Sequence, residues 1–492
     1  MNGGAKRSRV RSHYRLCYAM IYAPLFAPAF ARAESLAEEP APRTNADLSL
    51  QLDPSLALAQ PLSEPGAQPP ADATAAEPPR RAFPSPWSSP PFPGSEYLGP
   101  TIGVPNSPPD YAFMNLVKDT AFGRFQKDSR IDIYGWANAS FNWSTSQHSN
   151  LPNVYDIVPN RVELDQLVLR VERAPDTVQT DHADWGFRVT NLYGTDYRFT
   201  VAKGWFDRQL LKHNDLYGYD MPEMYGLFYV PNIAQGMVLK VGRFISPPDI
   251  EAQLAPDNYL FTHSTMFSID PYTFTGVLAM FKMNDNWSWE AGVHAGADMA
   301  PWTDSAAPNG HFMVRWVSNS NNDSIWAGIN SIGDGKYRDG HDNLQHLVGT
   351  WSHRFSDKVN MATELYYMWE FDALKGGSVI DGPMQSFGTG GGPGPLIPGR
   401  SDSFGAVNYF QIQLTSNDYL SFRNDFLADY KGQRTGISNY YSSHTIGWSH
   451  NFSSWATIRP EIKYERAWDN PAYDNATKHD QFKFGIDLII RF

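Results

Sequence analysis

Charged side chains stand at every second position along a segment near the C-terminus of the chain. Between residues 456 and 465 they are Arg459, Glu461, Lys463 and Glu465, and the residues between them are apolar or aromatic. A two-residue period is typical of a β-strand, which would turn all of these charges to one face. Because isolated charges are too costly in a dry interior, that face indicates a hydrated space rather than an ordinary protein core.

Other segments with the same period present polar side chains toward the same predicted interior. The predicted lining residues outside 456–465 are Gln166, Arg170, Glu172, Arg423, Asp425, Lys483, Asp487 and Arg491. Two interpretations are open for each of them. They could line a water-filled channel, or they could pair across neighbouring strands and stiffen the wall.

The final segment adds an apolar face that is unbroken up to the last residue. Its apolar positions are Phe482, Phe484, Ile486, Leu488, Ile490 and Phe492. A strand that is charged on one side and apolar on the other is typical of an outer-membrane barrel, with lipid outside and water inside. The alternative is an edge strand of a soluble sandwich. The terminal Phe492 also looks like the signal that the barrel assembly machinery of the outer membrane reads.

Period-two segments recur along most of the chain, and they predict an all-β fold, a transmembrane antiparallel β-barrel of about 16 strands. The predicted strands are 131–143, 162–172, 184–195, 224–230, 237–244, 275–281, 288–295, 311–317, 324–331, 343–354, 359–369, 406–414, 419–428, 442–451, 456–467 and 481–492. The connections between them alternate between short and long, as periplasmic turns and outer loops do in such barrels. An even strand number places both termini in the periplasm.

The N-terminal quarter of the chain differs in composition from the barrel segment, 131–492. Residues 1–33 have a basic start, an apolar stretch and the sequence Ala31-Arg-Ala33, which predict a cleaved signal peptide; an uncleaved leader is the alternative. Residues 34–110 hold 18 of the 37 prolines and predict a disordered periplasmic segment. That segment is either a spacer or a contact with peptidoglycan or an envelope partner. Residues 111–130 form a short lead-in, for which we expect one amphipathic helix.

Composition excludes several classes of function. The net charge of −12 becomes −18 without residues 1–33, which hold six basic and no acidic residues, so nucleic acid is a poor partner. The single cysteine, Cys17, lies in the predicted leader, which excludes a disulfide scaffold. There is no P-loop, HExxH or G-x-S-x-G motif, and His444 and Ser449 share a predicted strand at opposite parity. We therefore expect no enzyme, no cofactor and no metal site.

The long connection after the fifth predicted strand, 245–274, is the best candidate for a pore constriction. Its acidic residues are Asp249, Glu251, Asp257 and Asp270. If this loop folds into the barrel, charged groups at the constriction would select solutes by sign. If it lies over the mouth, it is a surface loop. The glycine-rich connection 376–399 reads as a mobile outer loop that could serve a binding function.

Several short sequences resemble landmarks of one family. They are Ile131-Asp-Ile-Tyr-Gly-Trp136, Trp185-Gly-Phe-Arg-Val189 with Tyr193-Gly-Thr-Asp196, Lys240-Val-Gly-Arg-Phe244, Ile250-Glu251, Thr275-Gly-Val277 and Ile458-Arg-Pro-Glu-Ile-Lys-Tyr464. In this order they resemble the second β-barrel porin family of Gram-negative bacteria, relatives of the carbohydrate-selective porins, over residues 110–492. The resemblance implies a porin in contact with outer-membrane lipid, and a homotrimer by analogy. The alternative is a binding or adhesion barrel with an occluded lumen.

Overall fold

The computed structural model describes residues 88–89, 92–93, 102–106, 111–247, 249–376 and 394–492. Within them, sixteen antiparallel strands form one closed barrel, so the predicted fold and strand number are confirmed. Each strand pairs with its neighbours in sequence, and the last strand pairs with the first. No helix in these ranges is long and apolar enough to cross a membrane.

The barrel strands are numbered β1 to β16 in chain order. They are β1 Asp132–Ser144, β2 Arg161–Arg173, β3 Asp184–Gly194, β4 Gly218–Val230, β5 Met237–Ile245, β6 Thr273–Lys282, β7 Trp287–Ala297, β8 Asn309–Val317, β9 Asp323–Ile332, β10 Gln345–Arg354, β11 Val359–Phe371, β12 Arg400–Gln413, β13 Asp418–Asp429, β14 Asn439–Ser453, β15 Ala456–Ala467 and β16 Asp480–Arg491. The largest differences from the predicted bounds are at β4, which begins at Gly218 rather than at residue 224, and at β12, which begins at Arg400 rather than at residue 406.

The two-residue period governs which side chains are buried. On β16, Phe482, Phe484 and Leu488 are exposed, while Lys483 and Asp487 between them are almost fully buried. The same alternation holds along β15, where the charged residues are buried and Ile462 is exposed. Because the sheet closes on itself, the buried face points into the barrel and the apolar face points outward, as in a membrane barrel.

Connections of two lengths define the two ends of the barrel. The short-turn end carries connections such as 231–236 and 283–286, and the long-loop end carries 195–217, 246–272 and 372–399. Short helices lie in the long connections: α3 Tyr197–Thr200, α4 Arg208–Leu211 and α5 Tyr473–Ala476, with 3₁₀ turns at Ala255–Asp257 and Phe267–Ile269. Exposed tryptophans stand near both ends: Trp143 and Trp468 near the long loops, and Trp287 and Trp455 near the short turns.

The lead-in contains two helices rather than the one that the sequence predicts. They are α1 Ala112–Val117 and α2 Ala121–Ser129. Thr120 separates them because its extended backbone ends the first helix, and its hydroxyl accepts the Gly123 N–H that opens the second. Two-residue strands at Ser88–Ser89 and Phe92–Pro93 pair with each other outside the barrel sheet.

Three predictions concern chain outside the described residues. They are the signal peptide 1–33, most of the proline-rich segment 34–110, and the central part of the connection 376–399. From the proline-rich segment, residues 102–106 are described at the short-turn end. There Gly103 N–H donates to Thr177 Oγ1 and the Asn106 amide donates to Pro175 O, both at 3.0 Å. The chain before the barrel is therefore fastened to the connection between β2 and β3.

Candidate functional site

The long connection between β5 and β6 folds into the barrel. We call residues 246–272 loop L3. Most of L3 is buried, and it hydrogen-bonds to inward-facing side chains of β2, β9, β11, β13, β14 and β15. Since β5 and β13 lie half a barrel apart in the strand order, the loop crosses the interior from one wall to the other.

Wall carboxylates accept backbone N–H groups of L3. Glu461 on β15 accepts from Phe261 at 2.9 Å and from Thr262 at 3.1 Å, and also from the Thr262 hydroxyl. Glu364 accepts from Ile250 at 2.9 Å, and Asp425 accepts from Thr265 at 3.1 Å. A loop inside a barrel has no strand partners for its backbone, so these carboxylates provide hydrogen bonds that water would otherwise supply.

Wall cations meet the backbone carbonyls of the same loop. Arg459 donates to Ala255 O at 2.9 Å, and Lys463 donates to His263 O at 2.8 Å. Arg423 donates to Thr262 O and to the Thr445 hydroxyl on the next strand. The alternating charges of β13 and β15 therefore form a binding surface for both donors and acceptors of L3.

Two inward-facing glycines let the loop approach the wall. A Cβ atom at Gly447 on β14 would lie 2.4 Å from the Leu260 side chain, and one at Gly485 on β16 would lie 2.8 Å from the Phe261 ring. Sequence reasoning did not single out these glycines. Glycine inside a strand is nevertheless a known sign of close approach by another segment, and that signal was present.

The four acidic residues of L3 occupy different surroundings. Glu251 is buried, where it accepts the Tyr409 hydroxyl at 2.6 Å and lies 3.3 Å from Arg423. Asp249 and Asp270 lie close to each other and to Glu364. Burial raises the pKa of Asp249 to about 7, and burial together with the charge of Asp249 raises the pKa of Asp270 well above its ordinary range.

Asp257 is the L3 acid whose charge interacts with the other side of the barrel. Burial raises its pKa to about 6, while the positive charges of Arg170, Arg188 and Arg491 act in the opposite direction. Asp257 therefore lies within electrostatic range of cations on β2, β3 and β16, whereas Glu251 pairs with Arg423 on β13.

A charged network covers the wall formed by β2, β3 and β4. Arg170 pairs with Glu223 at 2.7 Å, Arg188 pairs with Glu172 at 2.7 Å, and Arg188 also reaches Glu223 at 3.1 Å. Gln166, predicted as a lining residue, instead holds L3: it donates to Gln253 O and accepts the Ala255 N–H. Arg188 and Glu223 are not among the predicted lining residues, and Glu223 lies before the predicted start of its strand at residue 224.

The remaining predicted lining residues pair with one another, with a residue of a neighbouring strand or with a long connection. Arg459 and Asp487 form a buried ion pair, Lys463 lies 2.6 Å from Glu465, and Arg491 donates to Thr457. Lys483 lies 2.8 Å from Asp156, which belongs to the connection between β1 and β2. All of these side chains are buried, so cross-strand pairing is a property of this wall.

The described residues do not bring catalytic or metal-binding groups together in a recognisable site. Ser449 is buried and donates to Tyr259 O of L3, whereas His444, five residues earlier, is exposed on the outer face. Among the residues that the structure describes, no group of three or more His, Cys, Asp or Glu is arranged to hold a metal ion.

The sequence model of the family described as "Putative beta-barrel porin-2, OmpL-like" matches residues 130–492. The chain belongs to this porin family. No curated protein matches the chain. Family membership supports a channel role and a location in the outer membrane.

Solved structures similar to this porin include three outer-membrane proteins. The outer membrane channel DcaP of Acinetobacter baumannii has 8% sequence identity and a TM-score of 0.46, over 74% of this chain and 97% of that one. The anion-selective porin from Comamonas acidovorans has 9% identity and a TM-score of 0.47, over 74% and 99%. OmpT of Vibrio cholerae, in its trimer form, has 11% identity and a TM-score of 0.44, over 74% and 99%.

In this porin, L3 crosses the interior between two walls. The wall of β11 to β15 makes most of the loop's hydrogen bonds. The wall of β2 to β5 carries Arg170, Arg188 and Lys240, and Gln166 of β2 also holds the loop. The Lys240 ammonium lies 4.9 Å from the Tyr225 ring centroid and 5.2 Å from that of Phe244. Asp257 on the loop lies within electrostatic range of Arg170 and Arg188.

Proposed function

We propose that the protein is an outer-membrane porin through which small hydrophilic solutes or ions diffuse passively. The observation that carries the proposal is L3, which is folded inside a closed sixteen-strand barrel and fixed to one wall by charged side chains. A barrel of this size leaves an interior that wall side chains alone do not fill. The path for solutes lies between L3 and the wall of β2 to β5, where Asp257 is within electrostatic range of Arg170 and Arg188.

Charges of both signs along this path suit polar solutes. Arg188 sits between Glu172 and Glu223, and Lys240 stands two strands further on. Charged groups at a constriction select permeant ions by sign, and a mixed lining gives a weaker preference than a ring of one sign. Under this proposal the lining residues are the partly exposed Glu172 and Arg188, and L3 acts as the constriction through Asp257.

The same proposal sets the orientation and partners of the barrel. Both ends of the strand region lie at the short-turn end, because the strand number is even. With short turns in the periplasm, both termini are periplasmic, and Phe492 is available to the assembly machinery before the barrel closes. A homotrimer and a peptidoglycan or envelope contact through residues 34–110 stay predictions.

The test is single-channel conductance of the purified protein in a planar bilayer. We expect discrete current steps that grow with salt concentration. The matched variant is Asp257→Asn, which removes one charge from the proposed path without touching the loop's hydrogen bonds to β15. It should shift the cation-to-anion permeability ratio toward anions, since a negative charge is lost. Folded protein that gives no steps would overturn the porin proposal and support the occluded binding or adhesion barrel.

A further inference from the structure

The chain that precedes the barrel enters the interior at the short-turn mouth. Ile102 is 8% exposed and belongs to the same apolar cluster as Tyr229, a buried residue near the end of β4. The next residue, Gly103, donates its N–H to the connection between β2 and β3 at 3.0 Å. Residues 92–93 lie against the 3₁₀ turn Ala255–Asp257 of L3, which is inside the barrel. Part of the chain before β1 therefore lies on the solute side of the wall.

The connection between β2 and β3, residues 174–183, folds over the same mouth. Its Gln179 O accepts the Tyr229 hydroxyl at 3.0 Å, so the connection reaches from β2 toward the inner face of β4. The Asn106 amide donates to Pro175 O of this connection at 3.0 Å. Two segments thus meet across the opening beside β2, β3 and β4, which is the wall next to the proposed path.

Tyr111 is the first described residue after 102–106, and its ring reaches the inner wall. It packs edge-on against Tyr134 of β1, with ring centroids 5.6 Å apart. Tyr134 is buried, and its hydroxyl donates to Glu172 Oε1 at 2.5 Å. Burial raises the pKa of Tyr111, while the charges of Arg491 and Asp257 act on that pKa in opposite directions. Tyr111 therefore lies one contact from Glu172 and within electrostatic range of Asp257, the groups assigned to the path.

The two lead-in helices hold Tyr111 in this position. Tyr111 is the N-cap residue of α1, and Met114 on that helix packs in the same apolar cluster. The Gln126 amide of α2 contacts the Met114 sulfur at 3.3 Å. Directly after α2, the Arg130 guanidinium pairs with Asp184 at the start of β3, at 2.8 Å. Because the helix pair is attached to the barrel at both ends, packing sets the position of the Tyr111 ring.

We propose that Tyr111 is a specificity-determining residue of the channel, and that with residues 102–106 it forms a second constriction at the short-turn mouth, in series with L3. Its ring limits the size of the solutes that pass between this mouth and Glu172. The inference rests on the proposed function, because a constriction matters only in a channel that conducts. Resistances in series add, so widening this constriction should raise the current through the whole pore.

The test is chemical modification of single cysteines during single-channel recording. In a Cys17→Ser background, Tyr111→Cys places a thiol at the proposed constriction. Leu116→Cys is the matched control on α1, where the native side chain is 77% exposed. Each full chain is treated with a bulky neutral methanethiosulfonate and then with dithiothreitol, which removes the attached group. Mass spectrometry measures how completely each thiol has reacted.

We expect modification at position 111 to lower the unit conductance at least about twofold, since the diameter of a constriction governs passage through it. Dithiothreitol should restore the original conductance, and modification at position 116 should have no effect. Without any reagent, Tyr111→Ala should conduct more than the unsubstituted chain and admit larger polyethylene glycols. Tyr111→Phe, which keeps the ring, should match the unsubstituted chain in both measurements.

Three outcomes would overturn the second constriction and leave the porin proposal standing. They are an unchanged conductance after complete modification at position 111, an equal fall at positions 111 and 116, and a thiol at position 111 that does not react in a conducting channel. Absence of current steps from every folded variant would be a different result. It would overturn the porin proposal itself, and the second constriction with it.

Discussion

At the residue scale, the charged side chains of the inner wall form hydrogen bonds with L3, and this role comes before any contact with a solute. Glu461, Arg459 and Lys463 are consecutive inward positions of β15, and each of them binds a different backbone group of L3. A carboxylate that accepts two N–H groups is a strong partner because charge-assisted hydrogen bonds are stronger than neutral ones. Removal of the side chain at position 461 should therefore weaken the docking of L3 more than removal of any other single side chain.

Replacing Glu461 by Ala should loosen L3 without unfolding the barrel. The Phe261 and Thr262 N–H groups would lose their partner inside the protein, at a cost of about 1–3 kcal/mol, which corresponds to about 5- to 150-fold faster local opening. Hydrogen exchange of residues 259–265 measures this opening. The matched control is Glu172→Ala, another inward glutamate, which pairs with Arg188 and not with L3. Equal acceleration of exchange in both variants would contradict the assignment.

At the element scale, the strands were predictable and the docking of L3 was not. The parity of β15 and β16 could be read directly, because a barrel wall forces apolar and polar side chains onto opposite faces. The chain enters β4 six residues before its predicted start, although Pro222 lies in this part of the strand. The register shifts opposite it, between Thr190 and Leu192, so this proline occupies a bulge where no ladder hydrogen bond is required of it.

The partners of L3 could not be predicted for a different reason. Glu461 and Thr262 are separated by 199 positions in the chain, and no local period links them. The acidic residues of the loop were visible, but whether each faces a solute path or a wall depends on the path of the folded loop. Glu251 turned toward Arg423, while Asp257 turned toward Arg170 and Arg188.

The acid cluster of L3 predicts that the loop is held more firmly at acidic pH. Burial raises the pKa of Asp249 to about 7 from an ordinary value near 4, so the docked loop holds this proton more tightly than a released loop would. The contribution of Asp249 to docking is therefore fully present below pH about 4, and it is lost as the pH rises through about 7. We expect fewer current fluctuations in single-channel records at pH 5 than at pH 8.

Substitution separates Asp249 from other titrating groups. Asp249→Asn is neutral throughout, so the difference between pH 5 and pH 8 should shrink. Asp474→Asn is the control: although burial opposes it, hydrogen bonds from Lys478 and from the backbone of His148 lower the pKa of Asp474 to about 2, so this acid does not titrate in the window. If the difference in current fluctuations between pH 5 and pH 8 is unchanged in Asp249→Asn, a group other than Asp249 causes the pH response.

At the scale of the whole molecule, the strand pairing that closes the barrel involves none of the described residues before β1. The seam between β16 and β1 is made by strand residues, and the Gly135 and Phe492 backbones exchange two hydrogen bonds at 2.9 Å. Residues 102–106 contribute contacts at the connection between β2 and β3 and none of the strand pairing. A chain that begins at Tyr111 should therefore refold into detergent with the same yield and heat-modifiable mobility as the full chain.

The truncated chain should differ from the full chain at two places. Without Gly103 and Asn106, Thr177 Oγ1 and Pro175 O lose their partners, so hydrogen exchange should become faster in residues 174–183. It should also become faster at residues 255–257 of L3, because residues 92–93, which lie against them, are removed as well. The contrasting variant ends at residue 479 and lacks β16; it leaves the edges of β15 and β1 unpaired, and unpaired edges are not tolerated in lipid. We expect it not to fold. Failure of the chain that begins at Tyr111 would instead show that closure of the barrel requires the preceding segment.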